Sequence, residues 1–133
     1  MNSKAVLSQA EVGQILTAAR AEAQANQWAV TIVVVDDGGH PLALERLDGC
    51  APGSAYIATE KARTSALGRR ESKSYEDMVN AGRYAFLSAP LLTSLEGGVP
   101  IVFDGQVIGA VGVSGVKPEQ DAQVAKAGAQ SVK

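Results

Sequence analysis

The sequence predicts an α/β sandwich built on one antiparallel sheet of about five strands, with helices covering its faces. Three observations carry that expectation. Asp104-Gly105 separates two apolar runs, Val99 to Phe103 and Gln106 to Val113, and this is the strongest short-range signal for a two-residue type I′ hairpin. Ala29 to Val35 is β-branched at nearly every position without alternating, the pattern of a strand buried on both sides. Alanine-rich stretches with helical spacing lie around these runs and must cover a sheet that its hairpins make antiparallel.

The elements follow in order. Ser8-Gln9-Ala10-Glu11 has the form of a capping box, and Val12, Ile15, Leu16, Ala19 and Ala23 continue it as a helix over about residues 9–26. The apolar strand comes next. Asp36-Asp37-Gly38-Gly39 turns the chain, and Pro41 to Leu47 returns as its antiparallel partner. Pro41 has no amide to give and suits a strand start. Residues 54–68 read as an alanine-rich helix behind Pro52-Gly53-Ser54, and Ser74-Tyr75-Glu76-Asp77 opens a shorter one ending near Gly82. Residues 86–95 contain Pro90 and read as loop with a short edge strand, which is the fifth strand. After the hairpin, Pro118 in the first turn and Glu119 and Asp121 at the positive end of the dipole start a last helix. Gly109, Gly112 and Gly115 thin out the second hairpin strand, so something is expected to approach its backbone closely.

Composition narrows the function classes. A chain of 133 residues with 46% hydrophobic and 20% charged residues makes one globular domain, residues 1–133. A net charge of −2 with scattered Lys and Arg argues against nucleic acid, which needs a clustered basic surface. No run approaches the roughly 20 apolar residues that span a bilayer, and no signal peptide precedes the first helix. A cytoplasmic address is the expectation. Cys50 is the single cysteine and His40 the single histidine, so no zinc site of ordinary ligand count forms within the chain.

Few residues can carry chemistry. His40, in the turn GGHPL, is either a solvated turn histidine or a base or axial ligand to haem iron, with glycines that let a flat group approach. Lys61 shares a helix face with Ile57 and Thr64 among small residues. It is either a snorkelling surface lysine or an enclosed one, able to bind a carboxylate or act catalytically through a lowered pKa. Arg46 and Asp48 follow the second strand and either pair with each other or point into a shared pocket. Gly112-Val113-Ser114-Gly115 ends a strand before a helix, where free amides attract anions, although Ser and Gly there are more often caps. Asp36, Asp37 and Asp104 are most simply turn formers.

Three blocks together, VVDDGGHPLALERLDG (34–49), IATEKARTSALG (57–68) and GGVPIVFDGQVIGAVGVSG (97–115), followed by QDAQVAKAG (120–128), resemble the GlcG/HbpS family. This is the "haem-degrading" domain also found at the C-terminus of PduO-type corrinoid adenosyltransferases. The resemblance covers nearly the whole chain. It implies a three-layer α/β/α sandwich, profilin-like, with a five-stranded antiparallel sheet and assembly into homo-oligomers from dimers to octamers. Among the positions that match the family's motifs are Arg46, Asp48, Lys61, Thr64, Gly112, Ser114 and Asp121, and His40 stands where a histidine could serve haem as cofactor.

Some members bind haem, a few degrade it, one is an extracellular redox-sensing accessory protein, and others accompany glycolate or diol metabolism. The label therefore transfers fold better than activity. Three readings follow for this chain: a haem-binding or haem-degrading protein, an enzyme or binder for a small carboxylate or hydroxyl metabolite at a subunit-interface pocket around Lys61, or a structural accessory protein. Whether it is an enzyme is left open.

Overall fold

A computed structural model describes residues 1–133. Helix α1 (Gln9–Ala25) leads into strand β1 (Thr31–Asp36) and its partner β2 (Pro41–Arg46). Helices α2 (Gly53–Gly68) and α3 (Lys73–Asn80) follow, then a 3₁₀ turn (Tyr84–Ser88). Strands β3 (Gly98–Phe103) and β4 (Gln106–Ser114) and helix α4 (Pro118–Ala129) complete the chain. The sheet has four strands in the order β2-β1-β4-β3, and every pairing is antiparallel.

The expected alternation of layers is present, and β1 explains it. Ile32 and Val34 point into a core shared with Ile15, Ala19, Ala23, Val124 and Ala125 of α1 and α4. Val33 and Val35 point the other way, against Ala58, Ala62 and Ala66 of α2. Because β1 is covered on both sides, a continuous apolar run is what its position requires. The Asp104-Gly105 turn has φ of 52° and 72°, both positive as a type I′ hairpin needs.

The fifth strand is a correction. The segment expected to contribute it forms the 3₁₀ turn and then irregular chain up to β3. Pro90 has no amide to donate, and Leu91 sits at φ 63°, outside any strand conformation. Backbone donors just beyond find side chains instead of a ladder. Thr93 N donates to Thr64 Oγ1 at 2.7 Å, Glu96 N to Glu76 Oε1 at 3.3 Å, and Gly98 N to Ser72 Oγ at 2.8 Å. The capping box at Ser8 is a second correction: Ser8 is the extended residue before α1, but its hydroxyl makes no capping bond.

The approach of α2 to the sheet is unusually close. Gly98 and Gly112 are cross-strand partners and lie side by side beneath the helix. A Cβ on Gly112 would fall 2.1 Å from Ala58 O and 2.5 Å from Ala62 N, and one on Gly98 would fall 2.2 Å from Lys61 O. Helix backbone therefore rests directly on strand backbone, and α2 is what makes the close approach expected at Gly112.

Candidate functional site

Three places hold the residues singled out from the sequence, and they are separate. The first is the niche of Lys61. Its side chain runs under α2 toward the end of β4, and the residue is only 4% exposed. The ammonium donates to Val113 O at 3.0 Å and to Asp121 Oδ2 at 3.1 Å. Asp121 is 2% exposed, and its Oδ1 accepts the Val116 amide at 3.1 Å. Burial pushes the Asp121 carboxyl above its ordinary value, while the Lys61 charge and the Val116 amide pull against it.

This ion pair ties α2, β4 and the start of α4 together. A Cβ on Gly97, at φ 135°, would fall 2.8 Å from the ammonium, so the niche is closed on that side. Within the chain Lys61 is enclosed, one of the two alternatives its small-residue helix left open, and its carboxylate partner belongs to the same chain.

Thr64, Gly112 and Ser114 pack around the same helix. Thr64 is fully buried, donates to Glu60 O at 2.8 Å and accepts the Thr93 amide. Gly112 lies under α2, and Ser114 is buried with its carbonyl near Cys50 Sγ. Ile57, expected on the same face as Lys61 and Thr64, is exposed.

The second place is the β1–β2 turn. Asp36 Oδ1 accepts the Gly38 amide at 2.9 Å and the His40 amide at 2.9 Å, and it lies 3.0 Å from His40 Nδ1. Asp36 Oδ2 lies 3.2 Å from the same nitrogen. Partial burial opposes its charge, but the His40 and Gly38 amides and the imidazole outweigh that and hold the Asp36 carboxyl below its ordinary range. The His40 side chain is 78% exposed, so Nε2 is left to solvent or to a ligand. Gly39 abuts Arg63 of α2, and Arg63 Nε donates to the carbonyl of exposed Leu91.

The third place is an open cleft of about 500 Å³ between the C-terminal half of α1 and the end of β2. Arg46 and Asp48 line it, with Trp28 and the pair Arg20–Glu45. Arg20 Nη2 donates to Glu45 Oε2 at 2.8 Å, in a two-pronged pairing. That bond chiefly, with the guanidinium charge, holds the Glu45 carboxyl below its usual range against partial burial. Arg46 and Asp48 share this cleft but do not reach Lys61. Trp28 and Arg20 were not anticipated as site residues, because only the fold brings α1 against β2.

Asp36 and Glu45 both titrate below their unfolded values. Their stabilisation is present above the ordinary carboxylate range, about pH 4, and is lost as pH falls through the folded values. Glu45→Gln is accordingly expected to show a shallower loss of stability below about pH 4 than the unsubstituted chain, read from urea midpoints across a pH series. Equal slopes for the two would remove Glu45 from the account.

No helix is long and apolar enough to cross a membrane, and no group of three or more His, Cys, Asp or Glu side chains is arranged to hold a metal ion. Residues 7–130 match the family described as haem degrading protein HbpS-like. Protein GlcG of Escherichia coli (strain K12) is 66% identical over 114 residues, covering 86% of this chain and 85% of that one. Among solved structures, Klebsiella pneumoniae protein ORFY superposes with a TM-score of 0.88 at 31% identity, covering 98% of this chain and 95% of that one. A PduOC:haem complex superposes with a TM-score of 0.87 at 26% identity, covering 97% and 96%. The layered sheet, the glycine groove under α2 and this near-complete match agree: the chain belongs to the HbpS-like family.

Proposed function

We propose that the chain is an oligomeric small-molecule-binding protein whose leading ligand is haem, held through Nε2 of His40. The observation that carries this reading is the imidazole itself. It is exposed, its Nδ1 is engaged by Asp36, and its second nitrogen is unengaged. An imidazole whose far nitrogen is engaged by a carboxylate is the donor that haem proteins and metal sites use, so this side chain fits the iron. The PduOC:haem relative supports the choice of ligand. Bound haem would supply the redox and ligand-exchange chemistry of its iron. The protein's share is to bind and orient it.

None of the larger cavities of the single subunit is lined by His40. A second subunit is the natural source of the missing wall. Tyr56, Ile57 and Leu67 of α2 and Leu87 and Leu91 after α3 are all exposed, and they are the apolar side chains that a second subunit would cover.

The test is a hemin titration of the purified chain, with its mass measured in solution. A Soret band shift is expected, together with a mass of at least a dimer. His40→Ala is expected to weaken binding by about tenfold or more, by analogy with loss of a metal ligand's support. An unchanged spectrum in His40→Ala rejects the ligand assignment, and a monomeric mass rejects the shared wall.

A second reading is favoured by the Arg46–Asp48 cleft. Its volume lies within the ordinary range for small-molecule sites, and Arg46 makes no ion pair within the chain. There the ligand would be a small hydroxy acid, with its carboxylate on Arg46 and its hydroxyl on Asp48. Thermal stabilisation by such an acid that survives His40→Ala but not Arg46→Ala would favour this reading over haem.

A further inference from the structure

We propose that Asp36 is a positioning residue that locks the His40 imidazole in its Nδ1–H tautomer and so presents Nε2 outward as a bare nitrogen donor. The proposal deepens the His40 reading above, but its first test does not depend on haem.

The geometry comes from five residues. Asp36 is the last residue of β1, and the chain turns so that His40 follows four positions later, on the same carboxylate. Two backbone amides already hold Asp36 Oδ1, so its orientation is set before the imidazole is considered. Both carboxylate oxygens lie within 3.2 Å of Nδ1, and a carboxylate only accepts hydrogen bonds. Neutral histidine carries one ring proton, so that proton belongs on Nδ1 and Nε2 keeps its lone pair.

Gly38 protects the arrangement. A Cβ there would fall 2.7 Å from His40 Cε1 and 2.9 Å from Nδ1, displacing the ring from Asp36. Gly39, at φ 80°, completes the turn in a conformation that favours glycine. The lowered carboxyl of Asp36 is consistent with this set of donors around it.

The same geometry specifies a substitution that releases the lock without dismantling the turn. In Asp36→Asn the amide oxygen is drawn to the Oδ1 position, because two backbone N–H groups point there. That position is also 3.0 Å from Nδ1, while the NH₂ group takes the Oδ2 position at 3.2 Å. An NH₂ group can only donate, so Nδ1 then faces one acceptor and one donor, and the side chain no longer fixes the ring proton on Nδ1.

The experiment is ¹⁵N–¹H correlation spectroscopy of the His40 ring in the full apo chain, at about pH 8.5, where an ordinary histidine is neutral. The expected result is a protonated Nδ1 and a bare Nε2 in the unsubstituted protein, and a mixture of the two tautomers in Asp36→Asn, with urea midpoints compared to confirm that the variant folds. Hemin affinity of Asp36→Asn is expected to fall by about 10- to 100-fold, the range for losing a ligand's supporting carboxylate. A protonated Nε2 in the unsubstituted protein, or an undiminished Nδ1–H population in Asp36→Asn, overturns the lock. If the tautomers mix while His40→Ala still binds hemin normally, the lock stands and the haem assignment fails. If the tautomers mix and only His40→Ala loses hemin, the link from lock to donor is overturned.

Discussion

Lys61→Ala is expected to lower the unfolding free energy by about 3–5 kcal/mol, the range for removing one partner of a buried ion pair. The size follows from what remains behind. Asp121 stays 2% exposed, and its only other hydrogen-bond donor is the Val116 amide. Val113 O also loses its donor from Lys61. A single amide does not offset the desolvation of a carboxylate, so the folded state must either protonate Asp121 or let water in.

The pair variant Lys61→Met with Asp121→Asn is expected to regain most of that loss. It removes both charges, keeps an oxygen for the Val116 amide and refills the channel under α2 with an apolar chain. Urea unfolding with an unchanged slope would report both effects. A loss under about 1 kcal/mol for Lys61→Ala would mean that the ammonium does not serve as the counter-ion of Asp121.

Gly112→Ala is expected to cost about 3 kcal/mol or more, at or beyond the upper end for overpacking a core. Ordinary overpacking is relieved by side chains changing rotamer. Here the added carbon meets Ala58 O, Ala62 N and Ala62 Cβ, and two of those three are helix backbone. Only a displacement of α2 relieves it. That shift would also disturb the Lys61 ammonium one turn along and Thr64, which holds the chain at Thr93. Gly13, with nothing near its missing Cβ, is the matched control. Gly13→Ala sits in an exposed part of α1 and is expected to be neutral or to stabilise by up to about 1 kcal/mol through helix propensity. Thermal melts of the two variants should therefore move in opposite directions or differ by several degrees. Equal melts would show that α2 does not rest on β4 as described.

Both effects belong to the fold rather than to the ligand. They explain why the matched motifs IATEKARTSALG and GGVPIVFDGQVIGAVGVSG lie so close in space. One is the underside of α2 and the other is the surface on which it sits. The side chains proposed above as ligand contacts are ones this packing does not consume: His40 at the β1–β2 turn, and Arg46 and Asp48 at the far end of β2.

Local chemistry was readable in the chain. The Asp104-Gly105 turn needs two positive φ values in adjacent residues, and that demand is met within the dipeptide itself. The double burial of β1 is written in its unbroken run of β-branched residues, and the close approach over Gly112 in the absence of a side chain. The fifth strand failed because the apolar content of residues 86–95 resembles a strand, while Pro90 and the positive φ of Leu91 deny it a ladder. Asp36 was readable as a turn former but not as the partner of His40, although the spacing of four residues with two glycines between them is a signal that could have been used.

What tertiary structure alone decided are the pairings between distant parts of the chain. Lys61 and Asp121 are 60 residues apart, and Arg20 and Glu45 are 25 apart. Asp121 read as an acid at a helix start, which it is, and nothing nearby in the chain says that a buried ammonium waits for it. The physical reason is one of range. Turn geometry, capping and periodicity act over a few residues and leave their marks in the order of the chain. Desolvation and ion pairing act through space, and only the packing of α2 on a glycine groove determines which charges are taken out of water together.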